Sequence, residues 1–350
     1  MTEVLTAITK WNERGDRSAL ATVVETQRSA PRPVGTKMAV NENGEVIGGV
    51  SGGCVEGAVV EIADRVIDGE GPQLVHFGIE DSEAWDVGLP CGGEIDVWIQ
   101  SYEPGRFVEL SQAGGRAAEV TLLEGATPGA KFVLEPDGAR SGSLGAPDLD
   151  ERALKVAEEL LWTDESVRRG TLFVDIAAPP PRLIVFGAID IAGSLCRLAR
   201  DAGWVPYVVD PRAQFATPER FPDAEQVVVA WPEEGLEQLG GIDPATSIAV
   251  LTHDPKIDDA VLQIALRSPA RFIGAMGSKR AQAKRRERLN ALGFANEELE
   301  RMSAPLGLDL GAVSGEETAL SILGEVVAAR HGREGGRLAS RKGRIHEVAA

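Results

Sequence analysis

Apolar positions change their period along the chain, and the changes divide it. Leu20–Gln27 (LATVVETQ) and Ile95–Gln100 read as strands, with shorter apolar runs at Met38–Val40, Val46–Val50 and Leu74–Phe77. Branched residues in runs this short predict strands, and Asn41–Gly44 predicts a hairpin turn. Leu5–Arg14 and Val55–Ile67 have the helical period. From Tyr102–Gly105 a second stretch begins. Arg106–Ser111, Ala117–Glu124, Lys131–Leu134 and Gly170–Ile176 predict strands, Asp150–Thr163 a helix, and Pro136–Pro147 a loop rich in Gly, Ser and Pro.

Beyond Ala177–Pro181 (AAPPP) the pattern changes again, and consecutive prolines there stop both helix and central strand. Nearly continuous apolar runs follow at Leu183–Phe186, Val205–Val209, Gln226–Val229, Ser247–Leu251 and Arg271–Ile273. Helical stretches alternate with them: Ile191–Asp201, Pro232–Leu239, Asp258–Leu266, Ala281–Leu292 and Glu316–Arg330. Strands buried on both faces and alternating with helices predict a parallel sheet. The predicted fold is α/β, with an N-terminal α+β unit over 1–105 and a middle α+β segment over 106–176, separate or packed with the first. A Rossmann-like domain follows over 182–330, and a Gly- and Arg-rich tail, 331–350, is expected to be flexible.

The totals narrow the function. With 43% hydrophobic residues in 350, the chain is expected to be globular with a sizeable core. A net charge of -18 disfavours nonspecific nucleic-acid binding. No apolar run reaches the length of a membrane span, and the N-terminus lacks a signal-like apolar core, so a cytoplasmic location is expected. Three cysteines without paired spacing argue against a disulfide framework and a zinc finger.

Candidate chemistry falls in two regions. In the first, Ser51-Gly52-Gly53-Cys54 leads into a helix, and Cys91-Gly92-Gly93 leads into a strand. A thiol near a helix start is either a stabilised thiolate or a small residue in a tight turn. In the second, strand ends of a parallel sheet share one crevice. They carry Gly187 to Asp190, Asp210, His253 with Asp254, and Gly277, Ser278, Lys279 and Arg280. The last group is the best anion site by composition. Asp210 sits where an acid binds ribose, or else caps the chain; His253 at a strand end is a base or an anion contact; Asp254 and Asp190 are ligand contacts or helix caps. The first turn reads Gly187-Ala188-Ile189-Asp190, which breaks the dinucleotide fingerprint. Cys196, inside a helix, reads as core.

Taken together these stretches resemble the XdhC/CoxF family of accessory proteins for molybdenum hydroxylases. The resemblance runs through Glu25–Gly35, GGVSGGCVEGAV at Gly48–Val59, Cys91-Gly92-Gly93, VFGAIDIA, VVDPR, LTHDPKIDD, FIGAMGSKR and APLGLDLGAVSGEE. It implies a maturation factor, a chaperone rather than an enzyme. Such a factor binds molybdenum cofactor and assists its sulfuration and its insertion into a xanthine dehydrogenase-type apoenzyme, with a cysteine desulfurase as second partner. The family's two cysteines carry over to Cys54, as a molybdenum ligand or sulfur carrier, and to Cys91. The family's usual Gly-Ala-Gly-His turn is altered here at Ile189 and Asp190. The competing readings are a nicotinamide-dependent oxidoreductase binding NAD(P), favoured by fold alone, and a partner-binding scaffold; a homodimer is compatible with each.

Overall fold

The computed structural model describes residues 2–28, 32–78 and 93–340. Cys91 and Gly92 lie outside the described residues. The chain separates into two compact units, Met1–Pro179 and Pro180–Ala350. The two stretches read as 1–105 and 106–176 fall within the first of these, each with a sheet of its own.

In the first unit, helix α1 (Thr2–Glu13) precedes strands β1 (Ser18–Gln27), β2 (Lys37–Asn41) and β3 (Val46–Gly48). Helix α2 (Glu56–Ile67), β4 (Gln73–Phe77) and β5 (Glu94–Ser101) complete an antiparallel sheet of order β3-β2-β1-β5-β4. The second sheet follows helix α3 (Arg106–Gln112) and comprises β6 (Ala117–Leu122), β7 (Lys131–Leu134), β8 (Arg140–Ser143), β9 (Val167–Arg169) and β10 (Leu172–Ala177). Its order is β8-β7-β6-β10-β9, and helix α4 (Pro147–Leu160) lies between β8 and β9 in sequence.

Strand alternation builds the layers. Ala19, Ala21 and Val23 join Val97 and Ile99 in a core with α2, and Val120, Leu122 and Val174 join a core with α4. The opposite faces, through Leu20, Ala39, Ala117, Val133 and Ala177, share a third core with α1 and α3. Charges are buried in this unit as pairs. Lys37 Nζ meets Asp175 at 2.5 Å with both side chains under a tenth exposed, and Ser166 donates to the other Asp175 oxygen.

Two expectations are corrected here, and one strand is new. Arg106–Ser111 is helical, as part of α3, because Phe107 and Val108 pack together into the third core rather than onto opposite sheet faces. Short apolar runs do not carry that distinction. The loop expected over Pro136–Pro147 contains β8, an exposed edge strand whose polar Arg-Ser-Gly-Ser sequence has no hydrophobic alternation. Strand β9, with two arginines in three residues, gave no signal either.

The second unit is α/β. Its elements in order are β11 (Arg182–Phe186), α5 (Asp190–Asp201), β12 (Val205–Val209), β13 (Gln226–Val228), α6 (Pro232–Gln238), β14 (Ser247–Val250), α7 (Pro255–Arg267), β15 (Phe272–Ala275), α8 (Lys279–Ala291), α9 (Asn296–Leu299), β16 (Met302–Ser303) and α10 (Gly315–Arg330). All pairings are parallel, in the order β13-β12-β11-β14-β15-β16. This is the 3-2-1-4-5-6 order of a Rossmann fold. Ile184 and Phe186 bury one face with α6, α7 and α8, and Leu183 and Val185 bury the other with α5 and α10. The order reverses between β11 and β14, which places a crevice beyond their carboxyl ends. No helix among the described residues is long and apolar enough to cross a membrane.

Candidate functional site

The Gly-Gly-Cys turn is built by a residue that sequence reading passed over. Glu56, the first residue of α2, folds back over the turn. One of its oxygens, Oε1, accepts from the backbone N–H of Val50 (3.1 Å), Ser51 (2.8 Å) and Gly52 (2.9 Å). Oε2 accepts from the N–H of Gly53 (2.8 Å) and the hydroxyl of Ser51 (2.6 Å). Ser51 Oγ in turn accepts from the N–H of Cys54 (2.9 Å) and Val55 (3.0 Å). Partial burial works to raise the carboxyl, but the Ser51 hydroxyl and the backbone donors outweigh it and hold Glu56 down to about 2. Gly52 and Gly53 have φ of +87° and +116°, and nothing lies within 4 Å of a Cβ built on either. The turn therefore needs glycine for its backbone, and its outer side is open. Cys54 is half-buried beside the α2 core. The signal that could have revealed Glu56 is a carboxylate five residues after Ser51, at the start of a helix.

Of the other sulfur candidates, Gly93 is buried and leads into β5. Cys196 is fully buried in the α5 core, and burial pushes its thiol up to about 12, so it takes no part in thiolate chemistry.

At the Rossmann crevice the strand ends do converge. Gly187 has φ of +119°, and a Cβ there would stand 2.6 Å from Thr252 Cγ2, so the β11 and β14 ends touch only because residue 187 is glycine. Asp210 is fully buried and already engaged. Its oxygens accept from the N–H of Ala188 (2.8 Å), and from the N–H (2.9 Å), Nε (2.9 Å) and Nη2 (2.6 Å) of Arg212. Burial opposes its ionisation, but these donors win and hold it below the usual carboxylate value. No lone pair is left pointing to a ribose. Asp190 opens α5 and pairs with Arg220 at 2.8 Å. Arg220 also donates to the carbonyls of Ala188 (3.2 Å) and Phe215 (2.9 Å), so a guanidinium lies across the altered turn. Phe215 is stacked under both Arg212 and Arg220.

The remaining candidates divide between structure and surface. Asp254 caps α7 by accepting from the Lys256 N–H at 3.0 Å, while His253 is exposed beside it. Ser278 caps α8 by accepting from the Ala281 N–H at 3.2 Å, after Gly277 at φ +135°. One lone pair of its hydroxyl is used by its own helix. Lys279 and Arg280 are exposed at that helix start. Beneath these two loops lies a buried ion pair, Asp258 with Arg285 Nη2 at 2.6 Å. Thr252 donates to the second Asp258 oxygen, and Arg285 Nη1 donates to the carbonyl of Met276. The pair ties the end of β14 to the end of β15. Burial still pushes the Asp258 carboxyl up, against the pull of Thr252 and Arg285.

The two regions have different chemistry. Among the described residues, the first offers one half-buried sulfur, Cys54, on a glycine-lined turn. The second offers arginines already neutralised by carboxylates, flanked by exposed Phe215, Val229 and Trp231 at the same sheet edge. Among the described residues no group of three His, Cys, Asp or Glu side chains could hold a metal ion on its own.

Both regions fall within stretches that match known proteins. A profile described as the XdhC Rossmann domain matches residues 183–326, and one described as the XdhC and CoxI family matches residues 11–78. The chain is 28% identical over 326 residues to a probable xanthine dehydrogenase subunit of Bacillus subtilis, covering 91% of this chain and 94% of that one. It is 28% identical over 319 residues to the molybdenum cofactor insertion chaperone PaoD of Escherichia coli, covering 90% and 84%. A crystal structure described as a xanthine dehydrogenase from Bacillus halodurans matches with a TM-score of 0.63 and 25% identity, over 97% of each chain.

Proposed function

The chain belongs to the XdhC/CoxF family, and from that premise we propose that it is an accessory factor that carries molybdenum cofactor to a xanthine dehydrogenase-type apoenzyme. The observation that carries the reading is the Ser51–Glu56 turn, which holds a soft sulfur donor, the half-buried Cys54, beside two open glycines. A single protein sulfur suits a cargo that must be released. A resident metal centre would need several ligands, and the described residues offer no such group. Sulfuration before insertion gives Cys54 and Cys91 a second use, as acceptors of sulfur from a cysteine desulfurase. Separately, within the second unit, Lys279 and Arg280 are exposed at a helix start without an acidic residue in its first turn and suit a phosphate group.

The residues fit a nicotinamide cofactor poorly. The ribose acid is covered by Arg212, and Arg220 lies where a pyrophosphate would approach the turn.

The test is retention. Protein prepared anaerobically and supplied with molybdenum cofactor should hold it near one per chain, read as molybdenum and pterin by mass spectrometry. Cys54→Ala should weaken retention at least about tenfold, the scale of losing a strong contact to a metal. Equal and negligible retention by both proteins would overturn the proposal.

A further inference from the structure

We propose that Glu56 positions Cys54 and selects its ligands, by filling with its own carboxylate the anion site that the turn would otherwise offer. The inference rests on the reading of Cys54 as the working thiol. A chain entering a helix through two glycines with left-handed backbone turns successive N–H groups toward one point, and such a concavity binds anions. Here the N–H groups of Val50, Ser51, Gly52 and Gly53 all donate to Glu56. With the Ser51 hydroxyl added, the two carboxylate oxygens receive five donors, which exhausts their lone pairs. An oxyanion arriving at the turn finds no free donor and meets a fixed negative charge.

The same carboxylate orients the cysteine. A serine hydroxyl has one proton and two lone pairs. Glu56 takes the proton at 2.6 Å, so both lone pairs of Ser51 accept, from Cys54 N–H at 2.9 Å and Val55 N–H at 3.0 Å. The direction of this relay holds only while residue 56 is an acceptor. A glutamine would place NH2 against either the Gly53 N–H or the backbone donors of Oε1. Space above Gly52 and Gly53 is open, and Cys54 beside them is half-buried, so a ligand reaches the thiol from the side of the glycines. The ligand class that follows is a soft, thiophilic centre presenting an uncharged or cationic face. Free oxyanions such as molybdate are rejected.

The experiment compares alkylation of Cys54 by neutral iodoacetamide and anionic iodoacetate, followed on the Cys54 peptide by mass spectrometry. In the native wild type the rate ratio, neutral over anionic, should exceed that of the same peptide in urea-unfolded chain by about three- to tenfold, the effect of one nearby unit charge in a water-like dielectric. Glu56→Gln should bring the ratio down to near the unfolded value. Ser51→Ala, which keeps the charge and breaks the relay, should keep the ratio while changing both rates together. A Glu56→Gln ratio equal to wild type, or a Ser51→Ala ratio equal to the unfolded chain, overturns the proposal. Should Glu56→Gln fail to fold, amide exchange in the wild type decides. The N–H groups of 50–54 should exchange at least about tenfold slower than a free peptide, and unprotected exchange overturns the assignment. Both readouts are made without molybdenum, so failed cofactor retention and a failed role for Glu56 are separate results.

Discussion

At the level of single residues, partners decide what a side chain does. Asp210 and Glu56 are both acids at points where a ligand is expected, and both are spent on the protein's own donors. Glu56 gives a pH prediction with a definite sign. Its folded value of about 2 lies below the roughly 4.3 of an unfolded glutamate, so its contribution to stability is complete above the unfolded value. It is lost as pH falls from there through the folded value. Denaturant melts of wild type and Glu56→Gln should therefore differ by a constant amount from neutral pH down to about pH 5. They should converge as pH drops further, because a protonated glutamate resembles glutamine. A gap that stays constant down to about pH 2.5 would contradict the hydrogen-bond assignment. The spacing Ser51-x-x-x-x-Glu56 is visible in the sequence, but five donors meeting on one carboxylate are not. That convergence depends on backbone angles at Gly52 and Gly53.

Among the secondary-structure elements, the ends of β14 and β15 are tied together by a pair no strand pattern announces. Asp258 and Arg285 lie on α7 and α8, and both are almost fully buried. Removing one charge leaves the other stranded, so Arg285→Met should destabilise the Rossmann unit by about 3–5 kcal/mol. Asp258→Leu with Arg285→Met should recover most of that loss, since apolar replacements of a buried pair are often neutral. Chemical denaturation of the single and double variants measures this, and an additive double variant would show that the pair is not coupled. Over 284–288 helix α8 carries four cations, Lys284, Arg285, Arg286 and Arg288. Arg285 turns inward, while Arg288 pairs with Asp259 and Lys284 stays in solvent. Helical spacing alone cannot separate these, because four cations in five positions occupy more than one face. Strands β8 and β9 were hidden for the opposite reason. They are edge strands defined by backbone pairing with β7 and β10, and their side chains carry little apolar pattern.

Over the full chain there are two compact units, Met1–Pro179 and Pro180–Ala350. Each unit closes its own cores, and the Rossmann sheet is covered on both faces by helices of the same unit. A fragment spanning 180–340 should therefore fold alone and melt in one cooperative transition by circular dichroism. A broad, non-cooperative melt would mean that the first unit supplies part of its stability. A fragment that folds also allows anion binding at Lys279 and Arg280 to be measured apart from Cys54.

The linear sequence was enough for the parallel sheet, most helices and the family. These follow from periods of apolar residues, from proline and glycine punctuation, and from ordered local motifs, all properties of neighbours in the chain. Folding settled which polar groups are free. Arg212 covers Asp210, Arg220 spans the turn at Ile189 and Asp190, and Glu56 fills the turn at Cys54. Hydrogen bonds are satisfied by whichever donor the folded backbone brings within about 3 Å, and no pattern along the chain encodes that distance.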